Sequence, residues 1–203
     1  MPRSARRGRR GSQETQQRIV DAALETLKRE GFTGASARAI ADRGGFNQAL
    51  IFYHFGTVNQ LLLAALDETS RRRLAHYQAA VEQATTLPEL LQTAARLYRE
   101  DLAAGHITVL NELIGASLAY PELRPEIAAR VQPWVDFAET VIVRVMAGGP
   151  LTELVPGRDA AFATVALYLG MQMLTHLGGG TTAIESLFVT GERVAALLAV
   201  VQP

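Results

Sequence analysis

Glycine punctuates the first sixty residues at Gly31, Gly44-Gly45 and Gly56, and divides them into one longer helix followed by two short ones. The first helix is read from about Thr15 to Glu30: Ile19, Ala23 and Leu27 recur every four residues, and Val20 and Leu24 widen that apolar stripe. Gly31 ends it. Ser36 is placed to cap a second helix running to about Arg43, and Asn47 to cap a third over Gln48 to His54. Thr57 followed by Gln60 has the form of a capping box for a fourth helix, which continues past Arg73 towards Glu82. Two short helices behind a longer one, joined by a glycine-bearing turn, make a three-helix unit of the helix-turn-helix kind. Gly44-Gly45-Phe46 supplies the turn, Ile40, Phe46 and Ile51 hold the short helices at their angle, and Ala41 is small where helices must approach closely.

Charge follows the same division. The formal net charge of the 203 residues is zero, yet residues 1–60 hold ten Lys and Arg against five Asp and Glu, and residues 61–203 hold ten against fifteen. A basic module on an acidic body would draw a polyanion to one end only. Chance and a basic tail would produce the same asymmetry. Five arginines, Arg3, Arg6, Arg7, Arg9 and Arg10, fall in the first twelve residues, a segment too polar to bury a core and expected to be disordered on its own. No apolar run follows them, so the start of the chain does not read as a secretory signal.

The rest reads as longer helices, with no sustained period-two alternation. Pro88 opens a helix that ends near Gly105, and another spans about Ile107 to Ala119. Pro121 and Pro125 start a third that passes through Trp134 to about Met146, where Pro133 is expected to bend or divide it. Gly148-Gly149-Pro150 and Pro156-Gly157 mark a loop. Two last helices, about Arg158 to Leu177 and Thr182 to Val201, are separated by Gly178-Gly179-Gly180. The chain is read as all-α, with a basic arm over 1–12, a helix-turn-helix domain over 13–60 and a larger helical domain over 61–203.

The stretch from Arg18 to Leu66 resembles the TetR family of transcriptional regulators. Its elements are the Ile19 to Leu27 stripe, Gly31-Phe32, Ser36, Ile40-Ala41, Gly45-Phe46, the run Ile51-Phe52-Tyr53-His54-Phe55, and Leu61-Leu62-Leu63-Ala64-Ala65-Leu66. The resemblance implies a ligand-responsive regulator, most often a repressor, that binds a palindromic DNA operator as a homodimer and is released by a small molecule. It implies DNA contacts from Asn47, Gln48, Ala49, Leu50, Phe52, Tyr53 and His54 of the third helix, with Ser36 and Thr57 at helix starts. Asn and Gln can pair bidentately with adenine, Ala49 and Leu50 can touch thymine methyls, and Tyr53 and His54 can donate to phosphate. Arg9 and Arg10, nearest the fold, are candidates for the adjacent minor groove.

Three positions depart from the family pattern: Val58 stands where Lys is usual, Phe52 where Tyr is common, and Leu50 where a small or hydroxyl residue is more frequent. The first two remove phosphate contacts and the third alters base preference. The backbone amides near Thr57 can still hold a phosphate. Purely structural roles also remain open: Phe52, Tyr53 and Phe55 as module core, Asn47 as a cap alone, His54 as a plain surface residue, and Arg71-Arg72-Arg73 as a solvated face.

In the larger domain, Tyr98, His106, Asn111, Trp134, Phe137, Met171 and His176, with Glu112 and Tyr120, are polar and aromatic residues scattered among apolar ones. They are the candidates for an effector pocket of largely apolar character. Phe162, Val165, Leu169 and Met173 line one side of the next-to-last helix, and Leu187, Val194, Leu197, Leu198 and Val201 line the last. The resemblance implies that these two helices pair with their copies across a two-fold axis.

An enzyme is the rival class. The four histidines, His54, His76, His106 and His176, lack metal-ligand spacing, and no Gly-x-Ser-x-Gly, phosphate loop or dinucleotide fingerprint occurs. With no cysteine, thiolate chemistry, disulfides and cysteine-rich zinc sites are excluded. No cofactor or metal is expected. A helical interaction module that uses the basic arm for acidic partners is a further alternative. No apolar run reaches membrane-spanning length, no membrane partner is expected, and the cytoplasm is the simplest location.

Overall fold

The computed structural model describes residues 3–104, 108–149, 154–178 and 180–200, without the side chains of residues 3–10, 181 and 198–200. Among them are the helices α1 (Arg3–Gly34), α2 (Ala37–Gly44), α3 (Ala49–Phe55), α4 (Val58–Val81), α5 (Leu87–Ala104), α6 (Thr108–Ala119), α7 (Leu123–Met146), α8 (Gly157–His176) and α9 (Thr181–Val200), and no strand.

Two elements bear directly on the sequence reading. Helix α1 begins at Arg3, so the backbone of the basic segment continues the helix that was expected to start near Thr15. Arginine, glutamine and glutamate favour helix, and propagation from an existing nucleus is far easier than nucleation. Helix α7 runs through Pro133 undivided, although the ring removes one backbone donor.

The chain forms two compact units, Met1–Arg72 with Thr108–Ile127, and Arg73–Ile107 with Ala128–Pro203. The division therefore differs from a single cut after residue 60, because α6 joins the N-terminal helices.

In the first unit the stripe read from the sequence is the core. Ile19, Ala23, Leu27, Ile40, Ile51, Leu61 and Leu63 are fully buried, and Ala41 nearly so. Each fully buried Leu or Ile contributes about 2 kcal/mol. Gly31 does not simply stop α1; with φ 69° and ψ −179° it kinks the helix, which resumes for one turn to Gly34. The kink frees the Phe32 N–H, which donates to Glu112 Oε2 of α6 at 2.7 Å. Glu112, considered for a pocket, is thus engaged at the kink of α1.

In the second unit two apolar clusters fill the interior. Val81, Leu97 and Val141 pack with Tyr77, Leu90, Phe137 and Val145; Tyr98, Met171 and Ile184 pack with Tyr168 and Phe188. The start of α5 is held by a capping box, since Glu89 accepts from the backbone N–H of Thr85 at 2.8 Å and of Thr86 at 3.2 Å, while its own N–H donates to Thr86 Oγ1. The Thr85 amide and hydroxyl hold the Glu89 carboxyl below its usual pKa. Arg144 Nη2 donates to the Val81 and Ala84 carbonyls and satisfies the end of α4.

Candidate nucleic-acid interface and polar centre

The helix-turn-helix is built around a glycine pair that no other residues could replace without adjustment. Gly45 sits in the left-handed region, φ 64° and ψ 43°, and caps α2 through hydrogen bonds to Ala41 O. A Cβ on Gly44 would run into the Phe46 ring and lie 2.9 Å from the Ala22 methyl. Arg18 Nη2 donates to Gly44 O at 3.3 Å, which ties the turn to α1. Arg43 reaches Thr26 Oγ1 at 3.0 Å and pairs with Glu30, fixing α2 against the same helix. Ser36 Oγ accepts the Ala39 N–H at 3.2 Å, and Thr57 Oγ1 accepts the Gln60 N–H at 3.1 Å, as their spacing predicts.

Asn47 acts one residue away from the expected cap. Helix α3 starts at Ala49, whose N–H donates to Asn47 Oδ1 at 2.8 Å, and Gln48 holds the N-cap position without a side-chain bond. The outward side of α3 carries Asn47, Gln48 and Ala49 exposed, Phe52 50% exposed and Tyr53 81% exposed. Leu50, His54, Phe55 and Val58 are half-buried, and Ile51 turns fully inward. The Tyr53 and His54 rings meet edge to face at 4.8 Å. Ser36 and Thr57 are exposed, whereas the side chains of Arg9 and Arg10 lie outside the described residues. Arg38, exposed at the start of α2 and 3.8 Å from Asp42, adds a cation that pattern reading passed over.

The effector candidates fare unevenly. His106 lies outside the described residues, Asn111 belongs to the first unit, and His176 is exposed at the end of α8. Tyr98 is buried and its hydroxyl meets Thr175 Oγ1 at 2.9 Å. Met171 is buried beside it, while Trp134 and Phe137 are half-buried around Tyr77 at 5.4 and 6.4 Å.

At the heart of this unit is a polar centre that sequence reasoning missed. Arg73, read as part of a solvated arginine run, is buried and forms a two-point pair with buried Asp101 of α5. Arg71 and Arg72 do face solvent, both paired with Glu68. Asp101 Oδ2 also accepts from the Tyr77 and Tyr168 hydroxyls, and the two phenols lie 3.0 Å apart. Burial and the Asp101 charge push both phenols above their usual pKa, so both stay protonated and donate. Burial works against the Arg73 charge, but the Asp101 carboxylate outweighs it and the guanidinium pKa rises. Its carbon sits 5.2 Å from the Trp134 ring and 5.7 Å from that of Tyr77. Such a partner set, drawn from α4, α5, α7 and α8, leaves no local sequence spacing to detect.

Residues 19–65 match the model of the bacterial regulatory proteins of the tetR family. Over these residues the chain carries the TetR-family sequence. The match covers the second half of α1, α2, the glycine turn, α3 and the first leucines of α4, which are the parts whose packing is described above. An HTH-type transcriptional regulator of Mycobacterium tuberculosis is 28% identical over 120 residues, 59% of this chain and 62% of its own length. The chain thus spans under two thirds of that relative. A TetR-family structure from Streptomyces coelicolor superposes with a TM-score of 0.64 at 26% identity, covering 90% of this chain and 96% of that one. The regulator FadR of Bacillus subtilis, solved with stearoyl-CoA, shares the fold with a TM-score of 0.66 at 17% identity, covering 90% of this chain and 96% of that one.

Beyond the TetR motif, α8 and α9 carry much of the exposed apolar surface. Phe162 is 67% exposed, and Met173, Leu187 and Val194 are also exposed, with Leu167, Leu174, Leu177, Val189 and Leu197 beside them in sequence. Val165 and Leu169 are half-buried. The side chain of Leu198 and residue Val201 lie outside the described residues. Among the described residues no helix is by itself long and apolar enough to cross a membrane, and no cluster of side chains fits a metal ion.

Proposed function

We propose that this TetR-family protein is a cytoplasmic repressor that binds a palindromic double-stranded operator as a homodimer and is released by a small-molecule effector. One observation carries the reading: α3, set by the glycine turn, leaves Tyr53 81% exposed beside exposed Gln48, Ala49 and Phe52. A helix too short to be stable alone, buried through Ile51 and bare on its other side, suits the major groove. Gln48 reads a base edge, Ala49, Leu50 and Phe52 contact thymine methyls or sugar, and Tyr53, His54 and the amides at Thr57 hold phosphate. Ser36 and Arg38 add phosphate contacts at the start of α2. The N-terminal arginines, Arg9 and Arg10 nearest the fold, enter the adjacent minor groove and offset the loss of Lys at Val58.

The exposed apolar residues of α8 and α9 pair with a second copy. Two recognition helices then meet half-sites about one turn apart, roughly 34–36 Å. The polar centre of the second unit is the effector region, and α4, which runs unbroken from Val58 to Val81, links the two activities. An effector that favours a different spacing of the recognition helices lowers operator affinity. A dimer seated on a promoter excludes polymerase, which makes repression the output.

Selection of bound fragments from random duplex DNA, followed by footprinting, tests this. The expected product is an inverted repeat protected symmetrically. Removal of residues 1–10 is expected to lower the log–log salt slope of binding by about 2, one contact per arm in a dimer. Binding without any sequence preference would contradict the operator reading.

A further inference from the structure

We propose that the second unit accepts an uncharged effector carrying a carbonyl-type hydrogen-bond acceptor, and that the Gln172 side-chain amide is the group that reads it. The proposal rests on the effector-responsive reading above and names the chemistry of that site.

Gln172 of α8 is only 5% exposed, and its Nε2 is buried without a hydrogen-bond partner among the described residues. Nearly every buried donor in a folded protein is paired, and an unpaired amide destabilises the state that contains it. Two polar side chains about one turn away from it on α8 are already engaged. Tyr168, one turn before Gln172 on the same stripe of α8, donates to Asp101. Thr175, nearly one turn after, meets Tyr98 at 2.9 Å and donates back to Met171 O at 3.0 Å. Around them the cluster is apolar and aromatic: Tyr98, Met171, Ile184, Tyr168 and Phe188.

The buried charges of the same unit narrow the ligand class. Arg73 spends its Nε and Nη2 on the two oxygens of Asp101, and both phenols donate to the same carboxylate. The centre is neutral within itself. An anion buried here would find its cation already paired, and a cation would find its carboxylate saturated, so either would lose hydration without an answering charge. A neutral carbonyl oxygen loses little hydration, accepts an N–H from Gln172, and brings an apolar frame that matches the surrounding rings.

The test uses the full-length protein and four probes on one ring: cyclohexanone, cyclohexane, cyclohexanecarboxylate and cyclohexylammonium. Trp134, the sole tryptophan, lies 5.4 Å from Tyr77 and reports binding by fluorescence, with calorimetry as a second readout. Wild type is expected to bind the ketone at least about tenfold more tightly than the other three. Gln172→Leu and the similarly sized Gln172→Met are expected to lose about tenfold for the ketone and to unfold at the same or a higher temperature than wild type without ligand. No ketone binding to wild type, equal ketone binding by wild type and both variants, preference for the carboxylate or the amine, or a clear drop in unfolding temperature for both variants would each overturn the proposal. Ketone binding that depends on Gln172 but leaves operator affinity unchanged would uphold the ligand class and overturn the effector reading on which it rests.

Discussion

Asn47 and Gln48 are adjacent, exposed and chemically alike, yet the start of α3 uses them differently. Asn47 Oδ1 is taken by the Ala49 N–H, so a bidentate contact from Asn47 to adenine would first release that bond. Gln48 makes no capping bond and keeps both ends of its amide for DNA. Gln48→Ala is therefore expected to weaken operator binding by about 1–3 kcal/mol and to leave nonspecific binding nearly unchanged. Competition gel shifts against random duplex measure both, and equal losses would remove Gln48 from base reading. Arg73 and Asp101 present the opposite problem, a partnership that cannot be read along the chain. They are 28 positions apart, and Tyr168, which joins them, is 95 from Arg73. Arg73 was indistinguishable from its exposed neighbours Arg71 and Arg72 because helical spacing tells which residues share a face, not which distant carboxylate meets them. Asp101→Asn leaves a buried guanidinium with a neutral partner and an amide that competes as a donor. A loss of about 3–5 kcal/mol in urea unfolding is expected, largely recovered in the apolar pair Arg73→Met with Asp101→Leu. A loss below about 1 kcal/mol would mean that water reaches the pair.

The short elements were legible because local chemistry decides them. Ser36, the glycine pair and Thr57 mark boundaries through bonds to residues only a few positions away, and the structure uses each in that way. Ile40 and Ile51 follow from the same periodicity and are fully buried. What local chemistry does not decide is how far a helix extends once nucleated, as α1 does to Arg3, or whether a long helix tolerates Pro133, as α7 does. Nor does it reveal that Glu112, on α6, seals the kink at Gly31. The glycine turn gives the sharpest test at this scale. Gly44→Ala places a methyl against the Phe46 ring and the Ala22 methyl, so α2 must shift from α1 or Phe46 must leave its rotamer. The expected cost is about 1–3 kcal/mol in thermal or urea unfolding. Operator affinity should fall further than stability alone explains, because α3 is aimed by this turn. A Gly44→Ala protein with wild-type affinity for operator would show that the aim of α3 is set elsewhere.

At the scale of the whole molecule, the zero net charge conceals a basic N-terminal sixty residues and an acidic remainder, and the exposed apolar surface of α8 and α9 falls in the acidic part. A monomer leaves Phe162 67%, Leu177 76% and Leu197 69% exposed, and large apolar side chains bared in number on a pair of helices mark an interaction surface. Covering it with an identical copy is the most economical solution, since a two-fold axis brings each patch against itself and needs no second gene product. Symmetry would also make such an interface sensitive to charge. One Glu introduced near the axis becomes two like charges facing each other out of water, at a cost of several kcal/mol. Phe162→Glu and Val194→Glu are accordingly expected to sediment as folded monomers where wild type sediments as a dimer. Each monomer keeps its α3 and its nonspecific attraction to DNA, but the second half-site is no longer held at high effective concentration. Operator affinity should then fall by about a hundredfold or more while a single half-site binds both variants as it binds wild type. If wild type is itself monomeric at the concentrations where it protects an operator, or if both variants remain dimers, the two-fold pairing through α8 and α9 is wrong. The exposed surface would then belong to a different partner.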